Sequence, residues 1–228
     1  EVVKTDAGQA TDVDRAVDAN AISGVTTIYT DMQNLEASDS VDGDVGLTVS
    51  GIVAGQTIQV SSLASAGNQA DEDLILNMDS PTGTTDAITL ESVASAATTA
   101  HVNSLASVTV EQTTVSNVAQ SVETLNLVAT RADVSDAAGT QIATLVAENT
   151  GTVSITGSGG VTIGAIDLLD ASTADTTVAT IDASAHTGDF TLGVDGTDFQ
   201  NASTNADDYS VTLGAGTNTV YGEAALDD

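Results

Sequence analysis

Cysteine and tryptophan are absent from this 228-residue chain, and lysine and arginine together number three, at Lys4, Arg15 and Arg131. Without cysteine there is no disulfide scaffold and no thiolate metal site. With so few cations nucleic acid is excluded as a natural partner, because binding there sets lysine and arginine against phosphate, and anionic membrane surfaces are disfavoured for the same reason. The only aromatic rings are Tyr29, Phe190, Phe199, Tyr209 and Tyr221, so a core must be assembled from Val, Ile, Leu and Ala. Such small, mostly branched side chains fill narrow, regular interiors, and a thin core is expected. No apolar run approaches the roughly 18 residues that cross a bilayer, so the chain is expected not to be membrane-inserted. It opens at Glu1 with no methionine and no basic region before an apolar stretch, so no signal peptide is visible and the expectation is a segment of a longer protein.

What the chain has instead is acid: 33 Asp and Glu, a formal net charge of −30, and 41% hydrophobic residues. The apolar fraction is high enough to bury a core, which argues against disorder. The charge is self-repelling unless salt or bound cations offset it. Aspartate outnumbers glutamate 25 to 8. A short, stiff carboxylate suits tight turns and Ca²⁺-binding loops, whereas either acid would serve a merely solvating surface or a saline habitat.

The dominant local signal is period-two alternation over short stretches bounded by Gly, Asn, Asp or Ser. It shows at Val45, Leu47 and Val49, at Leu74, Leu76 and Met78, at Leu125 and Leu127, at Val153 and Ile155, and at Phe190, Leu192 and Val194. Such runs read as short strands between tight turns, with the lone proline, Pro81, marking one turn. Residues 9–21 place Val13 and Val17 four apart behind Thr11 and Asp14, the pattern of a short capped helix. Residues 93–100 are rich in alanine and fit either state.

An apolar-x-x-apolar-x-small pattern recurs at Val25/Ile28/Thr30, Val122/Leu125/Leu127, Ile142/Leu145/Ala147 and Val178/Ile181/Ala183, with a looser copy from Val102. The copies at 102, 122 and 142 are 20 residues apart, which predicts stacked rungs that cannot bury their apolar faces alone. The step from 142 to 178 breaks the spacing. The expected fold is therefore all-β, an irregular parallel β-solenoid; a β-sandwich is the alternative and would want longer strands and bulkier core residues. One continuous β-rich segment is expected over 1–228, with a subdivision near residue 100 between an irregular β region and solenoid rungs.

Two C-terminal segments carry a family likeness. The run TVATIDASAHTGDFTL at 177–192 resembles the T-I-D-A-S-A-x-T-G-x-x-T-L rung of bacterial surface-layer and other type I secreted proteins. Residues 209–222, YSVTLGAGTNTVYG, are similar to the glycine-rich element that follows it there, itself related to the RTX nonapeptide. Gly216 matches the second glycine of that nonapeptide, Asn218 its aspartate position and Val220 its large apolar position. Asp227 lies nine residues after Asn218, the spacing of a second nonapeptide, but Glu223 and Ala225 replace its glycines. SVETLNLV at 121–128 also resembles a surface-layer rung. The resemblance implies an extracellular, cell-surface module exported by a type I route, assembling as a homo-oligomer or lattice of identical chains and ordered by calcium. Asn218 keeps a carbonyl ligand there but removes a charge.

Acidic clusters are the only chemical constellations in the chain. Asp39, Asp42 and Asp44 surround Gly43 without the spacing of an EF-hand. Asp71 and Asp73 flank Glu72, and Asp195, Asp198, Asp207 and Asp208 surround the 196–206 segment. Calcium takes six to eight oxygens at about 2.3–2.6 Å, so these residues, with Asn218 and Asp227, are the candidate metal ligands, and calcium the candidate cofactor. The bland alternative is solvated turn aspartates. His101 and His186 are expected at solvent or rung positions. No G-x-S-x-G elbow occurs, and Gly157-Ser158-Gly159-Gly160 runs into a strand-like Val161-Thr162-Ile163 rather than a helix, so it is no phosphate loop. With no cationic cluster to meet an acidic sugar, an enzyme is not expected.

Overall fold

A computed structural model describes residues 2–5, 15–21, 23–31, 45–61, 72–79, 81, 85–94, 102–111, 113–115, 118–120, 122–131, 139–147, 150–168, 178–195, 199 and 209–222. Within them the chain is a parallel β-solenoid. One eight-stranded sheet holds β1 (Val2–Thr5), β3 (Thr27–Asp31), β5 (Thr57–Ser61), β7 (Ala87–Ala94), β11 (Thr124–Arg131), β13 (Thr152–Gly157), β15 (Ala179–Asp182) and β17 (Tyr209–Thr212), in that spatial order. The other holds β2 (Arg15–Asp18), β4 (Val45–Ile52), β6 (Glu72–Met78), β8 (Val102–Glu111), β12 (Gly139–Val146), β14 (Gly160–Asp167), β16 (Phe190–Leu192) and β18 (Asn218–Val220). Successive strands alternate between the sheets, so each coil adds one strand to each. The exception is an antiparallel ribbon of β9 (Thr113–Val115) and β10 (Val118–Gln120), which joins β8 to β11 and pairs with neither large sheet.

The core is a set of aliphatic ladders. In the first sheet Ile28, Ile58, Leu90, Leu127 and Ile155 are successive register partners, as are Ile88, Leu125, Val153 and Ile181. The second sheet answers with Leu47, Leu74, Val108, Leu145 and Ile166. All of these side chains are buried. Like stacks on like because each coil repeats the width of the one below, and this is why Val, Ile and Leu suffice with almost no rings. Strands before and after residue 100 belong to the same two sheets.

Two expectations are corrected. The segment expected as a short helix instead contains β2, followed by a single 3₁₀ turn at Ala19–Ala21; Thr11 and Asp14 lie outside the described residues. Register with Val49 on the neighbouring strand recruits Val17 to the sheet, overriding a weak local helical pattern. The 20-residue spacing is not one coil. Leu105 and Ile142 are register partners 37 residues apart, while Leu125, between them in sequence, belongs to the opposite sheet. Elsewhere partners are 21 residues apart at Ile142 and Ile163, and 30 apart at Thr27 and Thr57. Coil length thus varies widely while register holds.

The recurring letter pattern has more than two geometries, and in Val178/Ile181 the first residue precedes β15 but is exposed, so the expected inward position is not met there. In Val25/Ile28 and Val122/Leu125 the first residue is buried in the turn ahead of a strand and the second begins the alternation. Ile142 and Leu145 instead lie inside β12, both inward, because pairing skips Ala143 opposite Gly164 and the strands bend there. The same three-residue inward step recurs at Ile163 and Ile166.

Candidate functional site

Strands of the first sheet lead into the second along one edge of the solenoid, and return along the other. Asp39, Asp42 and Asp44 belong to the β3–β4 connection and Asp71 to the β5–β6 connection; all four lie outside the described residues. Both connections run from the first sheet to the second, and Val45 pairs with Glu72 where β4 and β6 begin. Asp73, on β6, accepts a hydrogen bond from Ser107 Oγ on β8. Asp195 is exposed just after β16, on the returning edge; Asp198, Asp207 and Asp208 in the same connection, Asp227 at the C-terminal end and His101 are outside the described residues. Of the candidate ligands the structure describes three, and it does not bring them together on one element: Asp73 is on β6, Asp195 follows β16 and Asn218 opens β18.

The family-like segments form a described column of turns on the crossing edge. Three tight connections stack there, at 157–160, 183–189 and 213–217. Ala129 O on β11 accepts from the backbone N–H groups of Ser158 and Gly159, both at 3.1 Å. Gly157 O accepts from Thr187 N at 2.8 Å and Thr187 Oγ1 at 3.1 Å, and His186 O from Ala215 N at 3.0 Å. Each turn is thus bolted to the next by main-chain carbonyls. Gly157, at φ +104°, has a left-handed backbone, and a Cβ there would collide with the Ala129 carbonyl. Gly216, at φ +98°, stands in the same relation to Gly188 O.

Aspartates of this column serve the backbone. Asp182 Oδ1 accepts from Ser184 N at 2.9 Å, an Asx turn that opens the corner. Hydrogen bonds from the Ser184 hydroxyl and then from its N–H hold the Asp182 carboxyl below the usual aspartate range, against a small opposing effect of desolvation. Asp189 Oδ1 accepts from Thr217 N of the next coil at 2.8 Å. Asn218 closes its own turn: Nδ2 donates to Gly214 O at 3.0 Å and Gly216 O at 3.2 Å, while its Oδ1 is buried with no partner among the described residues. The amide thus meets two carbonyls that could otherwise face a cation. His186 is 1% exposed, and neither ring nitrogen has a partner among the described residues. Its place inside the corner agrees with a rung position.

Sequence reading missed Asp182, Asp189 and Asp86. The first was legible as Asp-x-Ser at a strand end. Asp189 was not, since its partner is 28 residues away. Asp86 shares a two-strand junction with Glu123, whose Oε2 accepts from Asp86 N at 2.7 Å, and Asp86 Oδ2 is buried without a partner among the described residues. Among those residues no three His, Asp or Glu side chains come together as a metal cage. The phosphate-loop lookalike is the turn into β14. No helix among the described residues is long and apolar enough to cross a membrane. No protein-family model, curated protein or solved structure matches the chain.

Proposed function

We propose that the chain is a structural, self-assembling extracellular protein, a segment of a surface layer or related type I secreted assembly, with calcium ordering its acidic turns. The observation that carries this reading is where the solenoid puts its two kinds of residue. Aliphatic side chains stack coil on coil inside, and among the described residues no Asp or Glu is buried, in a chain of net charge −30. Neighbouring carboxylates repel, and a divalent cation is the economical remedy. The reading assigns no catalysis.

Far-UV CD and light scattering, followed through EDTA and then millimolar Ca²⁺ with Mg²⁺ and NaCl at matched ionic strength, test it. Gain of β-signal and of ordered assemblies with Ca²⁺ alone is expected. A response that tracks ionic strength only would make the acids solvation and withdraw calcium from the proposal.

A second reading, a ligand-binding stalk, is favoured by one feature of the first sheet's outer face. Thr124, Thr152, Thr180 and Ser210 are register partners, and two residues on Asn126, Ser154, Asp182 and Thr212 form a parallel row. Thr27, one of the threonines visible as a pair in sequence, belongs to the second row, which runs through Thr57 and Thr89 to Asn126, while Thr176 and Thr177 lie outside the described residues. If the array binds a ligand, replacing Thr152 and Thr180 by Val abolishes surface adhesion while leaving assembly intact.

A further inference from the structure

The outer face of the first sheet repeats one chemistry from coil to coil. The row that starts at Thr124 and the row two residues on, which runs from Thr27 to Thr212, stay in register along the axis. Their side chains are partly or fully exposed, and every one but Asn126 and Asp182 carries a hydroxyl. Asp182 is the single acid in either row, and its Oδ1 already accepts from Ser184 N. The rows are therefore close to neutral in a chain of net charge −30, and they offer an ionic partner little to pair with.

The hydroxyls are also idle. Those of Thr124, Thr152, Ser154 and Thr180 have no hydrogen-bond partner among the described residues, and the one link along the rows there is Asn126 Nδ2 to Thr89 Oγ1 at 3.5 Å. The second sheet differs, since its outward polar groups bind one another or the backbone: Ser107 donates to Asp73, Asn77 to Glu111 and Ser50 to Val17 O. Spacing narrows the ligand. Successive coils are about 4.8 Å apart, and two residues along a strand separate the rows by about 6.6 Å. Water in a tetrahedral network, with O···O near 2.8 Å, repeats at about 4.5 Å between second neighbours. Over the four coils that carry both rows the mismatch grows to only about 0.9 Å, well inside half a repeat. A flexible polymer or liquid water must be ordered before it can follow such rows, and that loss of freedom offsets the small net gain of each hydrogen bond. In ice the ordering is already complete, and each threonine methyl adds apolar contact beside its hydroxyl.

We infer that this face binds ice, with Thr124, Thr152, Thr180, Ser210 and the parallel row beside them as the contact. The many weak hydrogen bonds act together because one rigid sheet holds them at a fixed pitch. The inference deepens the ligand-binding reading and rests on it.

Thermal hysteresis and incorporation into a slowly growing ice ball, measured on the 228-residue chain, test it. The wild type is expected to show hysteresis and to enter the ice. Thr152→Tyr and, separately, Thr180→Tyr place a ring where a lattice water would lie, and each should lose both properties with an unchanged CD spectrum. Thr109→Tyr, on the outer face of the second sheet between Ile75 and Val146, should keep both. If Thr152→Tyr lowers the β-signal, Thr124→Tyr in the same row takes its place. A wild type excluded from ice overturns the inference. Adhesion of that protein to crystalline cellulose, lost in Thr152→Tyr, would then leave the ligand-binding reading standing with another occupant, whereas adhesion to neither overturns both. Ice activity that survives Thr152→Tyr and Thr180→Tyr alike would put the contact on another face and overturn the inference.

Discussion

At the scale of single residues, the sharpest constraint is Gly157. Its left-handed backbone and the Ala129 carbonyl below leave no place for a side chain. Gly157→Ala should lose at least about 2 kcal/mol of stability in denaturant titration, through strain and the separation of two coils. An unchanged midpoint would mean the turns are not stacked this closely. The glycine itself is evident in the sequence, but Ala129, its reason, lies 28 residues earlier. The same holds for Asp189 and Thr217. Turn chemistry between near neighbours, such as Asp182 with Ser184, could be read directly, whereas a carboxylate that braces the next coil looks like any surface acid.

At the scale of elements, the turn before β18 is held by one amide. Asn218→Asp replaces the donor that satisfies two carbonyls with a carboxylate that faces them. In EDTA at neutral pH the variant should be about 1–3 kcal/mol less stable than wild type. Millimolar Ca²⁺ should restore much of the loss, because two carbonyls and a carboxylate then share a cation. Thermal melts with and without Ca²⁺ read both effects, and a variant as stable as wild type in EDTA would show that the amide does not close the turn. Strands themselves were legible: alternation at Leu74, Leu76 and Met78 or at Val153 and Ile155 needs only neighbours. The break at Ala143 and Gly164 was not, since a bend inside β12 imitates the spacing of a turn followed by a strand. That imitation also made half a coil resemble a whole one.

At the scale of the molecule, stability is shared along an axis. Coils touch mainly their neighbours, so inner coils are held from both sides and end coils from one. Hydrogen exchange followed by mass spectrometry should find β11 to β14 slowest and β17 with β18 among the fastest. Uniform protection across all coils would refute this ordering. The solenoid class was recoverable from thin aliphatic composition and short strands, because only stacking lets such strands bury a common face. Which residues become partners across coils was not, since that depends on coil lengths that the sequence does not repeat.

Coils of 21 and of 37 residues occupy the same register in the second sheet, and the β9–β10 ribbon is carried between β8 and β11 without breaking the neighbouring strand pairs. Length and girth are consequently independent coordinates of this molecule. Each coil advances the rod by one strand spacing, about 4.8 Å, however much chain it spends in its connections. Added residues thicken the outline and leave the pitch untouched. A loop of foreign sequence grafted between β9 and β10 would ride outside the rod at a fixed axial height, like a mark on a ruler.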